Sequence, residues 1–237
     1  MDGEPALSVV IPAHNEADSI ASLLAEVARA TTGMAAEVIV VDDGSTDATA
    51  AMVEHVASVM TAVRLVRHGR NAGQSAAMLS GVQAARAPWV VTMDGDGQND
   101  PVDIATLLKA RDGAGEGLPL MVCGWRKTRR DTFARRAASR IANRVRAAML
   151  GDATPDTGCS LKLFPRASYL AFPHFDHNHR FLPALMIRQG GRVISVAVNH
   201  RPRQRGQSHY NNWQRLRVGI VDLFGVMWLA RRMRRPE

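Results

Sequence analysis

Short apolar runs alternate with helix-period segments through the first half of the chain. The run "LSVVIP" reads as a strand and "EADSIASLLAEVARA" as a helix. "EVIVVD" then precedes "STDATAAMVEHVASVM", "VRLVRH" precedes "GQSAAMLSGVQAAR", and "WVVTMD" precedes "PVDIATLLKA", with "LPLMVCGW" as a further strand. Strands that alternate with helices predict βαβ units. The expected fold is therefore α/β, with a mostly parallel sheet and helices on both faces. Ligands of such sheets bind beyond the carboxyl ends of the strands, and Asp42, Asp43, Asp94 and Asp96 all fall at such ends.

The second half is less regular. Residues 129–150 predict a strongly basic helix, with Phe133, Ala137, Ile141 and Val145 as its apolar stripe. "CSLKLF" and "RVISVAVNH" read as strands, "NHRFLPALMIRQGG" as a helix with a glycine stop, and "RPRQRGQSHYNN" as a loop. "WQRLRVGIVDLFGVMWLARRMRR" reads as a final helix. No repeat or low-complexity linker interrupts the 237 residues, which predicts one continuous domain.

Charge divides the chain. Through Leu120 there are 16 acidic and 7 basic residues, and from Met121 onward 6 acidic and 23 basic, which together make the net charge of +8. An acidic half suits a metal ion, and an arginine-rich half suits phosphate, nucleic acid or a membrane surface. Aromatic residues are sparse and no zinc spacing or RNA-binding motif occurs, which weighs against nucleic acid. Two cysteines make no disulfide framework and read as small buried residues in a reducing compartment. No signal peptide is evident, and no apolar run reaches the roughly 18 residues of a spanning helix. Residues 218–230 are apolar apart from Asp222. Arg215 and Arg217 precede them, and Arg231, Arg232, Arg234 and Arg235 follow. That segment is either an interfacial helix on anionic lipid or a helix packed on the core.

The stretch "MDGDGQNDP" carries the sharpest chemistry. Two ionised carboxylates this close repel unless a cation lies between them. Asp94, Asp96 and the amide oxygen of Gln98 form a hard donor set for Mg²⁺ or Mn²⁺, an incomplete one that leaves room for water and a phosphate-bearing substrate. Asp100 is expected to cap a helix starting near Pro101. In "VVDDGSTD", Ser45 or Thr46 is expected to cap the following helix, and one of the adjacent acids can accept hydrogen bonds from a ribose or base. No dinucleotide fingerprint or Walker loop follows any strand. "PHFDHNHRF", with His174, His177 and His179, is read as a polar loop leading into a helix. His14 is read as lining its loop.

Together "VVIPAHNE", "VIVVDDGSTD", "RNAGQSAAMLSG" and "MDGDGQNDP" resemble the family-2 glycosyltransferases with a GT-A fold, in the family's order and spacing. "GWR", "RAASRIAN", "DTGCSLKLF" and "RQRGQS" add a narrower likeness to polyprenyl-phosphate glycosyltransferases of the dolichol-phosphate mannose synthase type. The resemblance covers nearly the whole chain. It implies that Pro12, Ala13, Asn15 and Glu16 line a nucleotide pocket, that Asp43 reads the base or ribose, and that Asn71 and Gly73 help close the site. It implies that Asp94, Asp96 and Gln98 hold Mg²⁺ or Mn²⁺ on the diphosphate, and that Arg126, Arg135, Ser139 and Arg203 bind the phosphate of a lipid acceptor. Asp96 and Arg126 are the residues expected to matter most for the chemistry. Residues 1–125 would form the nucleotide-sugar and metal half, residues 126–210 the acceptor half, and residues 211–237 an amphipathic basic helix.

The implied reaction is metal-dependent, inverting transfer of a sugar from a nucleotide diphosphate sugar to a polyprenyl phosphate. The enzyme would lie peripherally at the cytoplasmic face of an anionic membrane, with a separate membrane protein as a candidate partner. Transfer to a sugar hydroxyl is the alternative. There Asp156 would be the base, whereas for a phosphate acceptor it positions a loop, the reading preferred here. One departure stands out: His209 occupies the place of the family's usual lysine, with Arg205 nearby as a substitute cation.

Overall fold

The computed structural model describes residues 4–126, 146–147, 149–202 and 212–232. Arg135, Ser139, Arg203, Arg205 and His209 lie outside the described residues, as does the stripe from Phe133 to Val145. The first half follows the alternating pattern: β1 (Leu7–Ala13), α1 (Ala17–Ala30), β2 (Ala36–Asp42), α2 (Thr49–Val59), β3 (Val63–Arg67), α3 (Gln74–Ala84), β4 (Trp89–Thr92), α4 (Asp103–Gly113) and β5 (Leu120–Arg126). Strands β6 (Lys162–Pro165) and β7 (Arg192–Val198) complete a seven-stranded sheet of order β3-β2-β1-β4-β6-β5-β7. All pairings are parallel except those of β6, which runs antiparallel to both β4 and β5.

Successive strand residues serve opposite faces, and both faces are dry. Val9, Ile11, Val38, Val40 and Val91 pack with Ile20, Leu24, Val53, Ile104 and Leu107 of α1, α2 and α4. Their chain neighbours Val10, Ile39, Val41 and Val90 pack on the other face with Met78 and Val82 of α3, and with Tyr169 and Leu185. This two-sided burial explains why the strands read as unbroken apolar runs. Each such side chain contributes about 1.5–3 kcal/mol by leaving water. Gly81 lets α3 lie close to the sheet, because a Cβ there would overlap the Val10 side chain.

Local expectations fail at three helix starts. α4 begins at Asp103, not Pro101. Asp100 instead folds the turn ahead of it, its Oδ1 accepting from Val102 N at 3.2 Å and from Arg201 Nη2 at 2.8 Å. Neither Ser45 nor Thr46 caps α2, which begins at Thr49 with Ala48, a residue without a capping side chain, at the N-cap position. Ser45 Oγ accepts from Asn15 N at 2.9 Å, and Asp47 Oδ1 takes Thr49 N at 2.9 Å. The segment expected as one helix from Asn178 splits into a 3₁₀ turn (Asn178–Arg180) and a helix (Leu182–Arg188). Pro183 sits in the first turn of that helix, where it needs no backbone donor, and so forces a fresh start.

The terminal helix, Asn212–Arg232, shows two different sides. Val226 is buried, and Asp222 Oδ2 approaches His177 Nδ1 at 3.3 Å. Val221, Phe224 and Trp228 face outward, at 70%, 55% and 62% exposure. One face of this helix is therefore packed and the other presents exposed apolar side chains. No helix among the described residues is long and apolar enough to cross a membrane.

Candidate active site

The loops after β1, β2 and β3 are laced together at the carboxyl ends of their strands. Asn15, in the left-handed region at φ 57°, accepts from Thr46 N through Oδ1 at 2.8 Å. Glu16 N donates to Thr49 Oγ1 at 2.8 Å, and Ser19 Oγ donates to Gly95 O at 2.9 Å. Pro12 and Ala13 end β1 beside Val41 and Asp42. Asp43 is buried, and its carboxylate accepts from Ala72 N and Gly73 N at 2.9 and 2.8 Å. Gly73 N also donates to Asn71 Oδ1 at 3.1 Å. The residues that the resemblance assigns to the nucleotide thus form one connected rim.

Beside this rim, β4 ends at the acidic turn. Asp94 is half-buried, and its Oδ1 accepts from Gln74 Nε2 at 2.7 Å. Burial, and next the charge of Asp96, push the Asp94 carboxyl above its ordinary range, with Ser160, Lys162 and Arg126 partly offsetting them. Asp96 Oδ1 accepts from Gln98 N at 3.1 Å. Asn99, buried, anchors the turn: its Oδ1 accepts from Asp94 N at 3.1 Å and from Ser160 Oγ at 2.7 Å. The end of β7 clamps the turn from outside, through Arg201 N to Gln98 O at 3.0 Å and the Arg201 guanidinium on Glu26 and Asp100.

Asp94 and Asp96 at the end of β4 suit a hard divalent ion, since a cation would relieve both the burial that chiefly raises Asp94 and the charge of Asp96 beside it. No group of three or more His, Cys, Asp or Glu suited to a metal occurs among the described residues. Such a site would need further oxygens from water or substrate phosphate.

Arg126, at the end of β5, faces the same space. Its Nε and Nη2 grip Asp156 Oδ2 and Oδ1 at 2.7 and 2.9 Å, a bidentate pair with side chains 15% and 7% exposed. Asp156 is thereby held as the partner of an arginine. A cavity of about 340 Å³ opens here, lined by Asp94, Arg126, Lys162, Gln74, His179 and Arg180 among others. Lys162 is spent on the wall, its Nζ donating to the carbonyls of Thr157 and Cys159. His179 Nδ1 lies 2.8 Å from Ser75 Oγ. Burial, then the charges of Lys162, Arg180 and His177, push its pKa down to about 3, so the ring is neutral at ordinary pH.

A larger depression of about 840 Å³ lies around Ala6, Trp89, Leu118 and Pro165, at the opposite end of the sheet from these acids.

Sequence reasoning gave no site role to Gln74, Asn99, Lys162, Ser160, His179 or Arg180. Gln74 stands inside the quoted "RNAGQSAAMLSG", where a signal existed. His179 had none, because the histidine spacing around it fits no metal and only the fold carries it to α3.

The Glycosyl transferase family 2 profile matches residues 8–171. A dodecaprenyl-phosphate galacturonate synthase from Rhizobium johnstonii is 39% identical over 236 residues, covering 97% of this chain and 69% of the relative. An undecaprenyl-phosphate 4-deoxy-4-formamido-L-arabinose transferase from Edwardsiella ictaluri is 32% identical, covering 94% of this chain and 66% of its own. This chain spans about two thirds of the length of these relatives. Among solved structures, the mannosyltransferase PcManGT from Pyrobaculum calidifontis, in complex with GDP-Man and Mn²⁺, superposes with a TM-score of 0.67 at 22% identity. That match covers 99% of this chain and 67% of PcManGT. At that identity the likeness speaks for the fold, which is GT-A.

Proposed function

The chain belongs to glycosyl transferase family 2, and from that premise we propose that it transfers a sugar from a nucleotide diphosphate sugar to a polyprenyl phosphate, inverting the anomeric centre. The observation that carries this reading is the meeting of Asp94 and Arg126 in one polar cavity at the carboxyl ends of β4 and β5. One side suits a metal-bound diphosphate, and the other suits a second anion.

A divalent ion bound by Asp94, Asp96 and Gln98 would supply Lewis-acid neutralisation of the leaving diphosphate, worth several kcal/mol. The protein's own residues do the rest. Gln74 and Asn99 hold Asp94 and its turn in place. Arg126, made rigid by Asp156, brings the acceptor phosphate to the donor, as planar guanidinium groups do well. A phosphate oxygen forms the new bond to the anomeric carbon while the bond from that carbon to the diphosphate breaks. The phosphate is already ionised near neutral pH, so no general base is needed. That agrees with an Asp156 committed to Arg126 and counts against the hydroxyl-acceptor alternative.

The names of both curated relatives place their sugars on polyprenyl phosphates, which supports the acceptor class. The outward Val221, Phe224 and Trp228, beside the exposed Arg232, suit peripheral contact with an anionic bilayer that holds the acceptor.

The test is Asp96→Asn, assayed for sugar transfer to polyprenyl phosphate at saturating Mn²⁺. Turnover should fall by at least about a hundredfold, the loss of several kcal/mol. Near-wild-type turnover would remove the metal role from this turn.

A further inference from the structure

Asp43 is the hub of the nucleotide rim. Its N–H donates to Ala13 O at 2.8 Å, and its carbonyl lies 2.9 Å from His14 Nδ1. Its carboxylate closes the third loop, with Oδ1 on Ala72 N and Oδ2 on Gly73 N. A further partner is not explained by loop closure. His68 Nδ1 lies 2.7 Å from Asp43 Oδ1, and His68 Nε2 lies 2.9 Å from Ser80 Oγ.

The donor directions follow from chemistry. An ionised carboxylate only accepts, so Nδ1 of His68 carries the proton. With Nδ1 carrying a proton, an unprotonated Nε2 accepts from Ser80 Oγ and a protonated one donates to it, so Ser80 orients the ring either way. A carboxylate offers about four acceptor positions. Among the described residues His68, Ala72 and Gly73 fill three, which leaves one position on Oδ2 for an N–H or O–H of a ligand. Gly44 meanwhile brings the residue 70–71 backbone hard against the β2 loop. A Cβ there would lie 2.5 Å from Asn71 N, at a backbone φ of +66°.

We propose that Asp43, His68 and Ser80 form a positioning relay for the nucleotide pocket. His68, oriented by Ser80 on α3, fixes the Asp43 carboxylate so that Asn71 and Gly73 close over the nucleoside and the last acceptor position of Asp43 meets it. The proposal rests on the glycosyltransferase reading. The same three residue types also make hydrolytic triads, but Ser80 lies inside α3, where the backbone N–H groups are spent on the helix. No donor pair is left there for an oxyanion.

The test is calorimetric titration of the full chain with UDP and with GDP, each with Mn²⁺, together with donor and acceptor KM values. Against whichever nucleotide the wild type binds, His68→Leu should raise Kd and donor KM by about tenfold, the loss of one hydrogen bond to a charged group. Acceptor KM should not change. His68→Asn, whose amide N–H stands where Nδ1–H stood, should stay within about threefold of wild type. Ser80→Ala should weaken binding by about threefold.

Wild-type affinity in His68→Leu overturns the relay. So does His68→Asn losing as much as His68→Leu, which marks a purely structural histidine. Where His68→Leu does not fold, unchanged affinity in Ser80→Ala overturns it. A wild type that binds neither nucleotide sinks the donor chemistry of the proposed function, and the relay with it.

Discussion

The Arg126–Asp156 pair makes a sharp quantitative claim. Both side chains are largely removed from water, and both carboxylate oxygens are engaged by the guanidinium. Removing one partner strands the other's charge, at a cost of about 3–5 kcal/mol for a buried pair. In a chain of this size that lowers Tm by about 6–20 °C in Asp156→Ala. Asp156→Asn keeps the shape and one acceptor oxygen, so it should lose about half as much. Removing both partners strands neither side chain's charge and costs only the weaker bond from the residue 126 N–H at 3.3 Å, so Arg126→Ala/Asp156→Ala should be less destabilised than the two single losses added together. We expect a coupling energy of about 2–3 kcal/mol. Urea denaturation of the four proteins measures it. Additivity within about 0.5 kcal/mol would refute the positioning role. So would an Asp156→Asn protein with wild-type Tm and no turnover, the signature of a catalytic base.

Two further expectations concern parts remote from the chemistry. Burial pushes the Glu37 carboxyl up, but donors from Arg86, Ser8 and Arg64 outweigh it and hold the group below its ordinary value of 4.5. A depressed folded pKa stabilises above 4.5 and loses that stability as pH falls through the folded value. Glu37→Gln should therefore be less stable than wild type by about 2–3 kcal/mol at pH 7. The gap should narrow below pH 4.5 in urea titrations, and a constant gap would contradict the assignment. On the terminal helix, Phe224→Glu/Trp228→Glu should abolish sedimentation with anionic liposomes while Tm stays near wild type, since both side chains already face outward. Equal sedimentation would remove that face from membrane contact.

Much of the fold was legible because it depends on short-range signals. Runs such as "EVIVVD" and "WVVTMD" are apolar on both faces, and that pattern alone predicts buried parallel strands with acids at their ends. The helix starts were less legible. Asp100 and Ser45 have the right chemistry for caps, yet each is claimed by a partner far along the chain, Arg201 for one and Asn15 for the other. His68 carried no motif, and the histidine spacing around His179 pointed to no site. Their meaning comes from neighbours 25 and 104 positions away, Asp43 and Ser75.

The sequence by itself determined the strand–helix alternation, the acidic turn that suits a divalent ion, and the family. Each of these is written in residue type and local spacing. Only the tertiary structure decided that β6 enters antiparallel between β4 and β5. That insertion sets the Lys162 wall beside Asp94 and accompanies the locking of Asp156 onto Arg126. Periodicity reports which face of a strand is dry, but not which strand lies next to it. Where an acid and an arginine meet is settled by the packing of whole elements, whose burial energy outweighs any single local preference.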